Sequence, residues 1–185
     1  RSWALPFPGA LSNGGSLPLR VDAMERGAGA DADVSYYTVR FQHRGGWYNL
    51  CGTVDRSENG TPIKAIPLAG RWSFTQGAKD GGARIDDGTL TFACQGGALA
   101  KCVERGYKPW KTVRGVSLAQ HHQACTRMIR ADYCGDGTPF TVDGRMINMY
   151  DALGVQDDTE AWPFEAEWTP NGAACAIRRR VVFKD

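Results

Sequence analysis

Six cysteines constrain this chain more than any other feature: Cys51, Cys94, Cys102, Cys125, Cys134 and Cys175. No two of them stand in a C-x-x-C arrangement and no C-x-x-C-H occurs. That removes support for zinc ribbons, thioredoxin-type redox centres and haem attachment. An even number of scattered cysteines is best accounted for by disulfides, which belong to an oxidising compartment. The expected location is therefore extracellular or periplasmic. The chain starts at Arg1 in place of an initiator methionine, which fits a removed signal peptide.

With 185 residues, 42% of them apolar, the chain has enough material for a core and does not need disulfides for lack of one. Its 22 basic and 20 acidic residues nearly cancel, so there is no strongly basic face for nucleic acid. No apolar run approaches the ~20 residues of a membrane span. Nucleic acid and a membrane span are both excluded as expectations on these grounds.

Residues 1–20 are rich in Pro, Gly and Ser without periodicity and read as an N-terminal arm or linker. Residues 21–185 are expected to form a single globular domain. Short strand-like runs follow one another: Ser35–Phe41, Trp47–Val54, Pro62–Leu68, Arg71–Thr75 and Thr89–Cys94, with glycine-rich breaks between them. Near the C-terminus, Phe164–Trp168 alternates, Pro170-Asn171-Gly172 signals a turn, and Cys175–Phe183 supplies a second strand. A two-residue Asn171-Gly172 loop would set Trp168 against Cys175, Ala166 against Ile177 and Glu165 against Arg178. Cross-strand pairing with glutamates then accounts for part of the basic triplet Arg178-Arg179-Arg180.

Helix is scarce. Gly97–Glu104 fits a short one. The stronger helix begins at Ser117 as N-cap and runs to Tyr133, with Leu118, His122, Cys125 and Ile129 on one face. The fold class is α+β, mainly β: antiparallel sheets of short strands, sandwich or barrel-like, around one central helix near 117–133 and stabilised by disulfides.

On such a helix Cys125 and Cys134 lie about 13 Å apart along the axis, beyond the ~7 Å that bridged Cα atoms tolerate. They cannot pair with each other. Among the pairings that six cysteines allow, the expectation is Cys102–Cys125, Cys94–Cys134 and Cys51–Cys175.

The segment His121–Asp143 concentrates two of the three histidines, two cysteines, two arginines and several acids. It contains the tetrapeptide Ala131-Asp132-Tyr133-Cys134. The chain resembles the bacterial ADYC-domain family, named for that tetrapeptide. Other motifs match it too, among them Phe92-Ala93-Cys94, Lys101-Cys102-Val103, Gly106-Tyr107-Lys108-Pro109-Trp110, His122-Gln123-Ala124-Cys125-Thr126-Arg127, Gly135-Asp136-Gly137, Tyr150-Asp151 and Glu165-Ala166-Glu167-Trp168. The resemblance covers about residues 47–180 and implies an exported bacterial protein without specifying an activity.

Three chemistries compete for the segment. In a thiol enzyme, Cys134 would be the nucleophile, His121 or His122 the base and Asp132 the orienting group, yet the helix separates the histidines from Cys134. A metal or hydrolytic site would use the histidines and the acids beyond the helix. Asp136-Gly137-Thr138 and Asp143-Gly144 resemble a calcium loop only loosely, lacking the spacing of an EF-hand, so no cofactor is expected beyond a marginal case for calcium. In a purely structural arrangement, Arg127 and Arg130 bond the carboxylates of Asp132, Asp136 or Asp151, His122 is a buried core residue, and Gly135 takes a positive φ after the helix.

Tyr107, Trp110, Trp162 and Trp168 lie in or beside turn-rich stretches, where exposed aromatics stack on a glycan or dock a protein partner. The expected function is an exported, disulfide-stabilised binding or accessory domain, with Arg127, Arg130, Asp136, Asp143 and Trp110 as candidate binding residues. The alternative is a secreted hydrolase or thiol enzyme with its site in 121–143.

Overall fold

The computed structural model describes residues 5–11, 13–178 and 180. Six strands form one sheet: β1 (Phe7–Ala10), β2 (Ser16–Arg26), β3 (Ser35–His43), β4 (Gly46–Asn49), β5 (Ala65–Trp72) and β6 (Arg84–Cys94). Their order is β1-β2-β3-β5-β6, with β4 also paired to β3. Two short hairpins follow, β7 (Thr112–Val113) with β8 (Val116–Ser117), and β9 (Ala166–Thr169) with β10 (Gly172–Ala176). The helices are α1 (Ala98–Glu104) and α2 (Ala119–Arg130). The chain is mainly β with antiparallel pairing and two helices, as its short alternating runs predict.

The chain divides into two compact units, residues 1–68 with 90–100 and residues 69–89 with 101–185. In the first, alternation along β2 and β3 turns Leu19 and Val39 inward, where they pack with Ala65 against Phe7, Phe41, Leu50 and Phe92. Phe7 and Tyr37 each lie 6.3 Å from Phe92, ring centre to ring centre. The described part of the stretch expected to be an arm is therefore built into the sheet, Phe7 opposite Leu19 and Ala10 opposite Ser16. Pro8 and Pro18 face each other in that pairing. Prolines at a sheet edge are compatible with a strand, and their frequency here disguised one.

Of the Trp47–Val54 run only Trp47, Tyr48 and Asn49 fall in β4, and Thr53 instead makes an isolated bridge with Pro62. The two runs expected at 62–68 and 71–75 merge into the single strand β5.

In the second unit the core gathers Cys102, Tyr107, Cys125 and Met149, with Met128, Ile129, Ile147 and Val155 packed against them. Helix α2 begins two residues past Ser117, whose Oγ accepts the Ala119 N–H at 3.3 Å. It ends at Arg130, three residues short of the expected Tyr133, because Ala131 turns left-handed at φ 51° and sends its N–H back to the Arg127 and Met128 carbonyls.

The early helix end bears on the disulfides. Cys102–Cys125 forms as expected, with Cα atoms 5.9 Å apart. The second bridge is Cys51–Cys94, Cα–Cα 5.4 Å, in place of the expected Cys94–Cys134 and Cys51–Cys175. Cys51 follows Leu50, whose N–H bonds the Val39 carbonyl, and β6 delivers Cys94 to the same unit. Cys134 and Cys175 are free and exposed.

The Cys51–Cys94 bridge spans 43 residues, a closure worth about 4 kcal/mol by chain entropy. The double variant C51A/C94A should lose about that much stability in urea unfolding. Iodoacetamide on the native protein should label Cys134 and Cys175 alone; a label on Cys51 or Cys94 would overturn the pairing.

Candidate functional site

The second unit carries most of the chain's sequestered polarity. One face of α2 is apolar as its spacing predicts, with Leu118, His122 and Cys125 buried. The adjoining face is buried as well, yet it is polar: Gln123, Thr126 and Arg127. Gln123 accepts the Trp72 indole N–H at 2.9 Å and donates to the Gly82 carbonyl at 3.0 Å. Arg127 is only 2% exposed. Its Nε donates to the Pro170 carbonyl at 2.9 Å, and its Nη1 donates to the Gly81 carbonyl at 2.5 Å and to Asp132 Oδ2.

Asp132 is fully buried and also accepts the backbone N–H of Asp136 at 3.1 Å and of Gly137 at 2.9 Å. One ion pair therefore holds four chain segments at the C-terminal end of α2. Gly81 is required by this closeness: a Cβ there would lie 2.0 Å from the Asp136 carbonyl oxygen.

The tetrapeptide at 131–134 occupies this knot. Ala131 is the left-handed helix cap, Asp132 the buried anion. Tyr133 is buried with its ring 5.0 Å from Trp168, its hydroxyl donating to Glu165 at 3.0 Å and accepting from the Arg180 N–H. Burial, foremost, pushes the Tyr133 hydroxyl above its ordinary pKa. Cys134 alone of the four is exposed.

The Tyr133 carbonyl accepts the Ala173 N–H at 3.0 Å, which shifts the hairpin from its expected register. The loop is Pro170-Asn171, Trp168 faces Ala173, Cys175 faces Glu167, and a bulge lies between Ala173 and Cys175. Gly172, at φ 113°, belongs to the strand, and a Cβ there would meet Gly135 N and Tyr133 O at 2.7 Å, so no larger residue fits. Glu165 pairs with Arg180 at 2.8 Å rather than with Arg178. Arg179 and residues 181–185 of the expected second strand lie outside the described residues.

Beside the knot lies a groove of about 550 Å³, walled by α2, by the segment 146–152 and by 162–168, with Arg180. Its rim carries large exposed apolar side chains: Met146, Tyr150, Trp162 and Phe164. Tyr107 and His121 stack in its wall, rings 10° from parallel and 6.4 Å apart. His121 Nδ1 is buried without a hydrogen-bond partner in the protein.

Tyr107 donates to Asp151 at 2.7 Å. Burial first, then this bond to a carboxylate, raises the Tyr107 hydroxyl far above the ordinary range. Burial works against ionising Asp151 too. The Tyr107 hydroxyl and the N–H groups of Gln156, Leu153 and Val155 outweigh it and hold the carboxyl below its usual value.

The sequence-derived candidates separate on this geometry. The thiol arrangement is not assembled: Cys134 follows the helix, His121 sits in its first turn, and about 13 Å of helix lies between His121 and Arg130. His122 is buried edge-on to Trp72. Asp132 serves Arg127 rather than a histidine.

Arg130 donates to the Gly137 carbonyl at 2.7 Å, and Asp136 accepts the Thr138 N–H at 2.9 Å. That N–H, foremost, lowers the Asp136 pKa. Asp143 and Trp110 are exposed and lie away from the groove wall. Among the described residues no three His, Cys, Asp or Glu side chains gather as a metal-ligating cluster.

Of the four aromatics singled out in sequence, Tyr107, Trp162 and Trp168 converge on the groove. Met146, Tyr150 and Phe164 were not among those four, and residues 145–150 form no strand.

A family model described as ADYC domain matches residues 7–182. The match reaches well before the motifs at 47–180 and takes in β1 to β3. No curated protein and no solved structure matches the chain.

Removing one partner of a buried ion pair leaves an uncompensated charge, so R127A should cost about 3–5 kcal/mol in urea unfolding; a loss under ~1 kcal/mol would mean that the knot is not what holds the unit. Asp151 gives a pH signature. Its folded pKa lies below the unfolded value, so its contribution is complete above about pH 4 and is lost as pH falls through the folded pKa. The Tm difference between wild type and D151N should therefore be largest near neutrality and shrink below about pH 4.

Proposed function

The chain belongs to the ADYC-domain family, and we propose that it is an exported, disulfide-stabilised binding domain whose ligand occupies the groove of the second unit. The observation that carries this reading is the gathering of Met146, Tyr150, Trp162 and Phe164, each at least 42% exposed, around one cavity. Large exposed apolar side chains scattered singly need no explanation, whereas a concentrated set around a concave surface is the usual mark of a binding site. A volume of about 550 Å³ lies in the range of ligand pockets.

Two bridges within the chain support an oxidising compartment, outside the bacterial cytosol. The family match extends over both compact units, which supports reading them as one ADYC domain. No helix among the described residues is long and apolar enough to cross a membrane. The groove walls bring together hydroxyl, carboxylate and thioether groups and the His121 imidazole, whose ring stacks on Tyr107; among the described residues that line the groove none pairs a nucleophile with a base, which favours binding over hydrolysis.

The uncharged dye Nile red tests the site. Native protein should enhance its emission, and M146S/F164S should abolish most of the enhancement while leaving Tm within a few degrees, since both side chains are exposed. Unchanged dye binding in the variant would place the ligand elsewhere.

A further inference from the structure

The hairpin that walls the groove has two unequal edges. The Glu165 carbonyl accepts the N–H groups of Ile177 and Arg178 at 2.9 and 3.2 Å, so its backbone faces β10. Along an antiparallel strand the backbone groups point alternately toward and away from the partner, which turns those of Ala166 and Trp168 outward. The Ala173 N–H, opposite Trp168, points away from β9 and bonds the Tyr133 carbonyl, in agreement with that alternation. The outer edge of β10 is thus tied to the segment after α2 at Ala173, next to the turn. Among the described residues no strand lies beside the outer edge of β9, and Ala166 and Trp168 both line the groove.

The charge in the groove is one-sided. Among the described residues, Asp151, Asp158, Glu165 and Glu167 line it with one arginine, Arg180, whose guanidinium is paired with Glu165. Glu167 is exposed.

We infer that the occupant is an extended, basic segment of a partner protein that adds to β9 as a third strand, its alternate side chains entering the apolar rim and its cations facing Glu167 and Asp158. This rests on the binding reading and specifies the partner's chemistry. An open strand edge supplies affinity through main-chain hydrogen bonds, and flanking pockets and charges supply choice. A neutral glycan brings neither a strand backbone for the edge nor a cation for the acidic lining.

The probes are an acetylated, amidated Lys-Phe-Lys-Phe-Lys-Phe peptide, its Glu-Phe counterpart, the Lys-Phe peptide N-methylated at alternate residues, and chitohexaose. They are titrated into the 15N-labelled full chain. The Lys-Phe peptide should shift the amides of Ala166 and Trp168 and bind more than tenfold tighter than the Glu-Phe peptide. N-methylation should weaken it by about tenfold or more, and E167K should reverse the preference between the two charged peptides.

Equal binding of both peptides, indifference to N-methylation, or shifts produced only by chitohexaose would each overturn the inference. If Nile red enters the groove while no peptide shifts those amides, the strand-addition inference falls and the binding reading stands. If neither dye nor peptide enters, both fall.

Discussion

The carboxylate of Asp132 and the guanidinium of Arg127 meet at the end of α2, both buried from solvent. Two ions in that setting are costly unless every remaining donor and acceptor is matched. Here they are matched largely by backbone: Arg127 by the carbonyls of Gly81 and Pro170, Asp132 by the N–H groups of Asp136 and Gly137. These backbone partners come from three excursions of the chain, at Gly81, at Asp136-Gly137 and at Pro170. The pair fixes where those excursions meet, and the second unit is arranged around that meeting point.

The groove depends on this arrangement at one remove. Tyr133 is oriented because Asp132 beside it is fixed, and Tyr133 in turn supports Trp168, Glu165 and the outer edge of β10. With one edge of the hairpin so occupied, the other is left facing the cavity. The opposite wall has its own anchor in the Tyr107–Asp151 bond and the turn of N–H groups around that carboxylate. Both walls are therefore set by part-buried hydrogen bonds, while the side chains at the rim are apolar and exposed.

The mainly β fold and the position of α2 were legible because they rest on alternation and on 3.6-residue periodicity. What escaped was the end of the helix. Nothing in the pattern of Ile129 to Tyr133 signals a stop, since the stop is an alanine held left-handed by its surroundings. The helix reading still excluded Cys125–Cys134 correctly; the disulfide expectation failed because an even count was taken to mean that all six cysteines are bridged, whereas Cys134 and Cys175 are free. The buried role of Arg127 was half legible: its partner could be guessed from nearby acids, but its burial could not, because a charged residue on a helix is ordinarily solvated. The arm at 1–20 was misread through its prolines. Tyr107, Trp162 and Trp168 were flagged by their turn-rich settings, whereas Met146, Tyr150 and Phe164 acquire meaning only when two distant loops converge on the groove.

Ala131 is fully buried and sits at φ 51°, a region that costs an L-residue about 1–2 kcal/mol. The two conditions act together on what the position accepts. Glycine would relieve the strain but loosen the unfolded chain. Any residue with a γ atom would need volume that a fully buried site lacks, on top of the unfavourable handedness. Asparagine, the usual tolerant choice in this conformation, is shut out by size and by its need for partners. The first letter of the tetrapeptide is thus a record of handedness and free volume, and substitution there is confined to the two smallest side chains whatever the groove comes to hold.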